Sequence, residues 1–259
     1  MPGRVSAVDR RRAVRARERQ LEYMHSFREE WRGREDQLVA DMRAHAGAVR
    51  TIVDKIRPIR ADDRILEVGS GGCGLSFNFG GDVIGIDPLA DDLRQLFPWQ
   101  RTSKVPTMAA EGEHLPFDDA SFDIVLSDNV IDHAEDPQRI VDEMARVLKP
   151  GGLLYFTVHV HHPFYHAASR LYGAWRKLGL PGEVTPFADH TVHLSPDAAK
   201  GLFRKLPLRI VSQTLDIEQT KRATKTLVPR HMGDRLKRLF YKNATIEVIA
   251  IREEGPSRE

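Results

Sequence analysis

A short hydrophobic run that breaks into glycines, Ile65-Leu66-Glu67-Val68-Gly69-Ser70-Gly71-Gly72-Cys73-Gly74, leaves this chain few folds to choose from. The apolar part reads as a buried strand, and the glycines read as a turn whose backbone is free to take positive φ. A helix that starts from such a turn aims its first N–H groups into a crevice, where a phosphate or nucleoside can approach the main chain. The following strand, residues 82–86, ends at Asp87. Its carboxylate falls beside the turn, where it can accept hydrogen bonds from both hydroxyls of a ribose. Gly69, Gly71 and Gly74 also satisfy the dinucleotide pattern G-x-G-x-x-G. Glu67 and Pro88 bracket the same region. An acid at Glu67 gains nothing beside a pyrophosphate, but it would favour a ligand that carries an amino group.

The remainder of the chain repeats the strand-then-helix alternation. Residues 64–68, 82–86, 105–109, 122–127 and 153–158 read as strands. Helices are expected after Cys73, over 89–97, and over 137–148 with Ile140, Val141, Met144, Val147 and Leu148 inward. This alternation predicts an α/β fold: a Rossmann-like doubly wound sheet, mainly parallel, with helices on both faces. Upstream, Leu38, Val39, Met42, Ala46, Val49, Ile52, Val53 and Ile56 recur at helical spacing over 38–59, and Pro58 ends that helix. Downstream, 163–180 is amphipathic, Ser195 caps a helix over 196–203, and 208–215 and 244–251 read as strands, the last expected to be antiparallel.

Composition narrows the function classes. A chain of 259 residues with 41% hydrophobic content can bury one substantial core. Its 39 basic and 37 acidic residues leave a net charge of +2, so the molecule as a whole does not look built for nucleic acid. The single cysteine, Cys73, excludes an intramolecular disulfide and a multi-cysteine zinc site, and fits a reducing, cytoplasmic setting. Neither a signal-peptide core nor a membrane-length apolar stretch is present in the sequence. Residues 1–35 form an arginine-rich arm: Arg10, Arg11, Arg12, Arg15, Arg17 and Arg19 alternate with Glu18, Glu22, Glu29 and Glu30. It reads as a helix laced by i to i+4 ion pairs, or as a surface for an acidic partner, membrane or RNA.

Four stretches, in order, resemble the class I S-adenosylmethionine-dependent methyltransferases, in particular the methyltransferase type 11-like domains: ILEVGSGGCG at 65–74, VIGIDP at 83–88, AEGEHLPFDDASFDIVLSDNVIDHAEDP at 110–137, and VLKPGGLLYFTV at 147–158. The resemblance implies S-adenosyl-L-methionine as cofactor. It implies that Glu67 and the backbone at Gly69, Ser70 and Gly71 hold the methionine part, that Asp87 with Pro88 takes the ribose, and that Glu111 lies near the adenine amino group. Gly112 and Glu113 line the base, and Ser127 completes the set. The chain departs from the family where Cys73 replaces a third glycine, with Gly74 one place later. On this reading residues 36–259 are one methyltransferase domain: 60–160 bind the cofactor, 160–243 cover the substrate, and 244–252 close the sheet.

A methyl group on a sulfonium is already a strong electrophile, so the protein must chiefly position an acceptor and exclude water. A hydroxyl or amine acceptor must also lose a proton. Candidates for contact or catalysis follow the fourth and fifth strands: Asp128, His133, His161 and His190. His159, His161, His162, His166, His190 and His193 cluster, but without cysteines or a His-Glu helix motif they are not read as a metal site. Phe164, Tyr165, Tyr172 and Trp175 fit a core helix or a lid. Lys221, Arg222, Lys225, Arg230, Arg235, Lys237 and Arg238 fit a solvated helix or an anion contact. The expected partner is a small-molecule acceptor, methylated at oxygen. The alternatives are a methyltransferase fold that binds without turnover and an NAD-dependent oxidoreductase.

Overall fold

The computed structural model describes residues 7–131, 134, 136–165, 167, 193–226, 228 and 240–254, with backbone alone for 7–16. Seven strands form one sheet: β1 Arg64–Val68, β2 Asp82–Ile86, β3 Thr107–Met108, β4 Phe122–Asp128, β5 Leu148–Val160, β6 Leu208–Leu215 and β7 Ala244–Arg252. Their order is β3-β2-β1-β4-β5-β7-β6. β1 to β5 run parallel, whereas β7 lies antiparallel to both β5 and β6. The closing strand is thus inserted between β5 and β6 rather than added at an edge.

The helices, in chain order, are α1 Ala7–Glu30, α2 Glu35–Ile56, α3 Ser76–Phe79, α4 Ala90–Leu96, α5 Pro98–Thr102, α6 Pro137–Val147, α7 Pro196–Gly201 and α8 Ile217–Thr226. Two apolar layers flank the sheet. On one face α6 sets Ile140, Val141 and Met144 against Leu66, Val125 and Leu154. On the other α2 sets Ala46, Val49 and Val53 against Ile65, Ile124 and Leu126. Alternate residues of β1 and β4 supply the two layers, as the period-two geometry of a strand requires.

Several boundaries differ from those the sequence implies, each for a local reason. The helix expected over 89–97 ends at Leu96 because Pro98 holds Phe97 extended (φ −107°, ψ 117°), and a second short helix, α5, starts with that proline. The helix after Cys73 is the single turn of α3, stopped at Gly80 (φ 77°). β3 shrinks to Thr107–Met108, and β5 starts as early as Leu148, which pairs with Phe122 across a register shift. Asp136 caps α6 by accepting from the Arg139 N–H, and Ser195 caps α7 by accepting from the Ala198 N–H.

The arm is less solvated than its arginines imply. Leu21, Met24 and Phe27 of α1 pack on Leu89, Leu93, Leu96 and Phe97, with the Phe27 and Phe97 rings edge to face at 6.4 Å. Arg17 forms an ion pair with Glu111, in which both side chains are about half exposed. Among the described residues no helix is long and apolar enough to cross a membrane.

Candidate functional site

The chain leaves β1 toward β2 on one side of the sheet, while β4 continues to β5 on the other. The carboxyl ends of β1 and β4 are therefore adjacent with diverging connections, and a crevice opens at such a switch point. The loops after both strands meet there. Gly69 is at φ 78°, and a Cβ on it would lie 2.3 Å from Val130 Cγ1. Gly71 also has positive φ, 51°, but a Cβ there would meet nothing within 4 Å. We expect Gly69→Ala to lose about 2 kcal/mol or more, from a left-handed backbone plus a clash, against about 1 kcal/mol for Gly71→Ala. Urea denaturation of the two variants side by side checks this, and equal losses would contradict it.

Gly69 and Ser70 both donate their N–H to the Ile86 carbonyl, at 2.8 Å each, which ties the turn to the end of β2. Asp87, nearly fully buried, accepts from the Gly71 N–H at 2.9 Å and the Leu89 N–H at 2.8 Å. From the other side α5 grips the turn. Gln100 Nε2 donates to the carbonyls of Gly71 (2.8 Å) and Gly72 (3.1 Å), and Trp99 Nε1 donates to the Gly72 carbonyl (2.8 Å). The Phe97 ring occupies the place a Gly72 Cβ would need, 2.3 Å away, so glycine is required at Gly72 by close approach. The sequence reading did not single out Trp99 or Gln100. Their side-chain N–H donors, an indole and an amide one and two places after Pro98, were the available signal.

Glu67 is buried at the end of β1, and its carboxylate accepts from the Leu75 N–H (2.7 Å) and the Ser76 N–H (2.8 Å). Burial raises its pKa to about 7 against the opposing effect of those donors. Gly74 makes room for this arrangement: a Cβ there would fall 2.5 Å from Glu67 Oε2 and 2.3 Å from the Ser70 carbonyl oxygen. The one-place displacement of the last glycine thus has a steric reason. Burial pushes the Cys73 thiol up to about 12, which makes it unreactive near neutrality.

The remaining expected positions line the same end of the sheet. Ser70 is buried, while Pro88 is exposed. Glu111 is held by Arg17, and Gly112 packs where a Cβ would lie 3.1 Å from Ile140 and 3.2 Å from Val68. Glu113 Oε1 accepts from the Asp136 N–H at 3.4 Å. Ser127 is fully buried at the end of β4, and its hydroxyl has no hydrogen-bond partner among the described residues. A buried orphan hydroxyl and an open Cβ position at Gly71 are features a nucleoside-type ligand can use.

Asp128 forms the centre of a second cluster. Its Oδ2 is 2.6 Å from His45 Nε2 on α2, and its Oδ1 accepts from Thr157 Oγ1 at 2.5 Å. Burial works to raise the Asp128 pKa, but the hydrogen bonds from His45 and Thr157 outweigh it and hold the carboxyl below its ordinary value. His45 is raised, chiefly by the hydrogen bond to Asp128. Asn129, at φ 56°, donates its N–H to Thr157 and accepts the His159 N–H on Oδ1 at 3.0 Å. Sequence reasoning missed His45, which sits among the periodic apolar residues of α2.

His161 directly follows β5. It is fully buried, accepts the Asn243 N–H on Nδ1 at 3.2 Å, and packs 4.8 Å from the His193 ring. His133 and His190, with Asp132, Tyr172 and Trp175, lie outside the described residues. Among the described residues, no group of three His, Cys, Asp or Glu side chains is arranged to hold a metal.

Residues 66–156 match a family model described as a methyltransferase domain. An uncharacterized methyltransferase of Mycolicibacterium gilvum is 36% identical over 99 residues, covering 36% of this chain and 39% of that protein. The chain thus spans about two fifths of the length of the curated relatives it matches first. Among solved structures, YcgJ from Bacillus subtilis superposes with a TM-score of 0.54 at 20% identity, covering 82% of this chain and 100% of that one. Geranyl diphosphate C-methyltransferase from Streptomyces coelicolor, solved with Mg2+, geranyl diphosphate and S-adenosyl-L-homocysteine, superposes with a TM-score of 0.56 at 18% identity, covering 84% and 83%. Sheet order, glycine turn and family match converge on one segment: residues 66–156 match a methyltransferase domain.

Proposed function

We propose that the chain is an S-adenosylmethionine-dependent methyltransferase that transfers a methyl group to oxygen of a small-molecule acceptor. The observation that carries this reading is the sheet order β3-β2-β1-β4-β5-β7-β6 with a reversed β7, which sets Glu67, the glycine turn and Asp87 together. A dinucleotide-binding sheet has the order 3-2-1-4-5-6 instead, which disfavours the oxidoreductase alternative. Bound there, the cofactor supplies a methyl group on a sulfonium. The protein's own residues do the rest: the backbone from Gly69 to Gly71 holds the methionine part, and Asp87 takes the ribose hydroxyls beside Pro88. Glu111, Gly112 and Glu113 line the adenine, and Ser127 offers its orphan hydroxyl. A reducing, cytoplasmic setting belongs to the same reading.

Oxygen is preferred because β4 runs into Ser127-Asp128-Asn129-Val130, not into the Asn/Asp-Pro-Pro-Tyr/Phe pattern often seen in amino-nitrogen methyltransferases. A second reading, a retained fold without turnover, is favoured by one observation: Glu67 and Asp87 already engage both carboxylate oxygens with backbone N–H groups. Incubation with cofactor bearing a deuterated methyl group and a panel of phenols, hydroxy acids and amines, read by mass spectrometry, separates the two. We expect label on oxygen. Label on amines alone contradicts the oxygen assignment, and cofactor binding with no labelled product favours the fold without turnover.

A further inference from the structure

We propose that His45 is the general base of the transfer: held through Nε2 by Asp128 at the carboxyl end of β4, its imidazole takes on Nδ1 the proton of a hydroxyl-bearing acceptor. This inference rests on the methyltransferase reading above and deepens it.

The geometry is that of a base with an orienting carboxylate. Asp128 is fixed on both sides, by His45 at 2.6 Å and by Thr157 at 2.5 Å, so it holds the ring in one orientation. An Nε2–H donated to Asp128 leaves Nδ1 as the proton-accepting nitrogen of the neutral ring. The His45 side chain is 54% exposed, whereas that of Asp128 is 24% exposed, so a ligand meets the imidazole more readily than the acid. Asp128 is itself a poor base, because its hydrogen bonds hold it ionised. His161 is fully buried against His193. The dyad also stands at the switch point, with Asp128 ending the strand beside β1 and Glu67 close enough to act on His45 electrostatically.

In the step, a lone pair of the acceptor oxygen forms the new bond to the methyl carbon. The carbon–sulfur bond breaks with its electron pair remaining on sulfur, and the acceptor proton passes to His45 Nδ1. The resulting imidazolium is stabilised by Asp128. An acceptor of this class carries a neutral hydroxyl, because one that is already anionic needs no base.

The test uses the full chain with 15N-labelled histidine, and His45→Gln assigns the resonance by its loss. The ring is titrated with saturating S-adenosylmethionine and, separately, S-adenosylhomocysteine, which lacks the methyl group and the sulfonium charge. The charged groups acting on His45 are Asp128 from β4 and Glu67 from β1, with His159 of β5 acting on Asp128. We expect a neutral ring protonated on Nε2, and a midpoint about one pH unit lower with the sulfonium present, as a like charge within several ångströms requires. Identical midpoints, or a neutral ring protonated on Nδ1, overturn the assignment and leave His45 a structural contact for α2. Failure of either cofactor form to bind, read by calorimetry on the same sample, instead overturns the methyltransferase reading on which it rests.

Discussion

Between about pH 5 and pH 8 the chain should lose about 3 kcal/mol of stability through Glu67 alone, a loss that Glu67→Gln removes. Burial raises the carboxyl to about 7, well above the ordinary value of 4.5 that it regains on unfolding. Between those two values the folded chain binds a proton that the unfolded chain has released. The contribution is therefore fully present below the unfolded value and is lost as pH rises through the folded one. Urea midpoints of the natural chain and the variant, compared at both ends of the window, measure it. Parallel pH profiles would contradict it. Glu67→Ala is the more severe change: it orphans the Leu75 and Ser76 N–H groups in a buried turn, at a cost of about 2 to 4 kcal/mol. Because α3 is one turn long, that loss should spread into the glycine loop.

Asp87→Ala should weaken binding of S-adenosylmethionine by about 100-fold or more, because two hydrogen bonds from ribose to a charged acceptor are worth about 1.5 to 3 kcal/mol each. It also releases the Gly71 and Leu89 N–H groups that now fix the turn. Asp87→Asn should recover little of the loss, because an amide cannot accept on both of its heavy atoms. Calorimetry gives the affinities, and a parallel melting curve separates lost contacts from an unfolded loop. An affinity within threefold of the natural chain would remove Asp87 from the ribose site.

The parts of the fold that were legible in the sequence are those set by local chemistry. β1, β2 and β4 are buried on both faces, so they read as near-continuous apolar runs, and each lies within one residue of its expected span. The cap at Ser195 follows from a side-chain oxygen just before a proline. What escaped reading depends on distance along the chain. His45 and Asp128 are 83 residues apart, and nothing in the helical pattern of α2 distinguishes His45 from a solvent-facing neighbour. The packing stripe Leu21, Met24, Phe27 was hidden by the arginines around it, although its spacing is helical. The insertion of β7 between β5 and β6 is a topological choice that strand pattern alone does not encode. Around the ends of β1 and β2, the glycine turn and Asp87 were legible because each needs a special residue type at a fixed offset. The grip of Trp99 and Gln100 on that turn was not, because it requires α5 to fold back from beyond β2.

Calorimetry of the full chain with S-adenosylmethionine, S-adenosylhomocysteine and NADH in parallel, with Asp87→Ala as control, decides whether the crevice between β1 and β4 binds a sulfonium nucleoside. Micromolar binding of the first two, lost or strongly weakened in the variant, with no heat from NADH, is the expected result. Binding of NADH alone, or S-adenosylmethionine binding indifferent to Asp87, would contradict it.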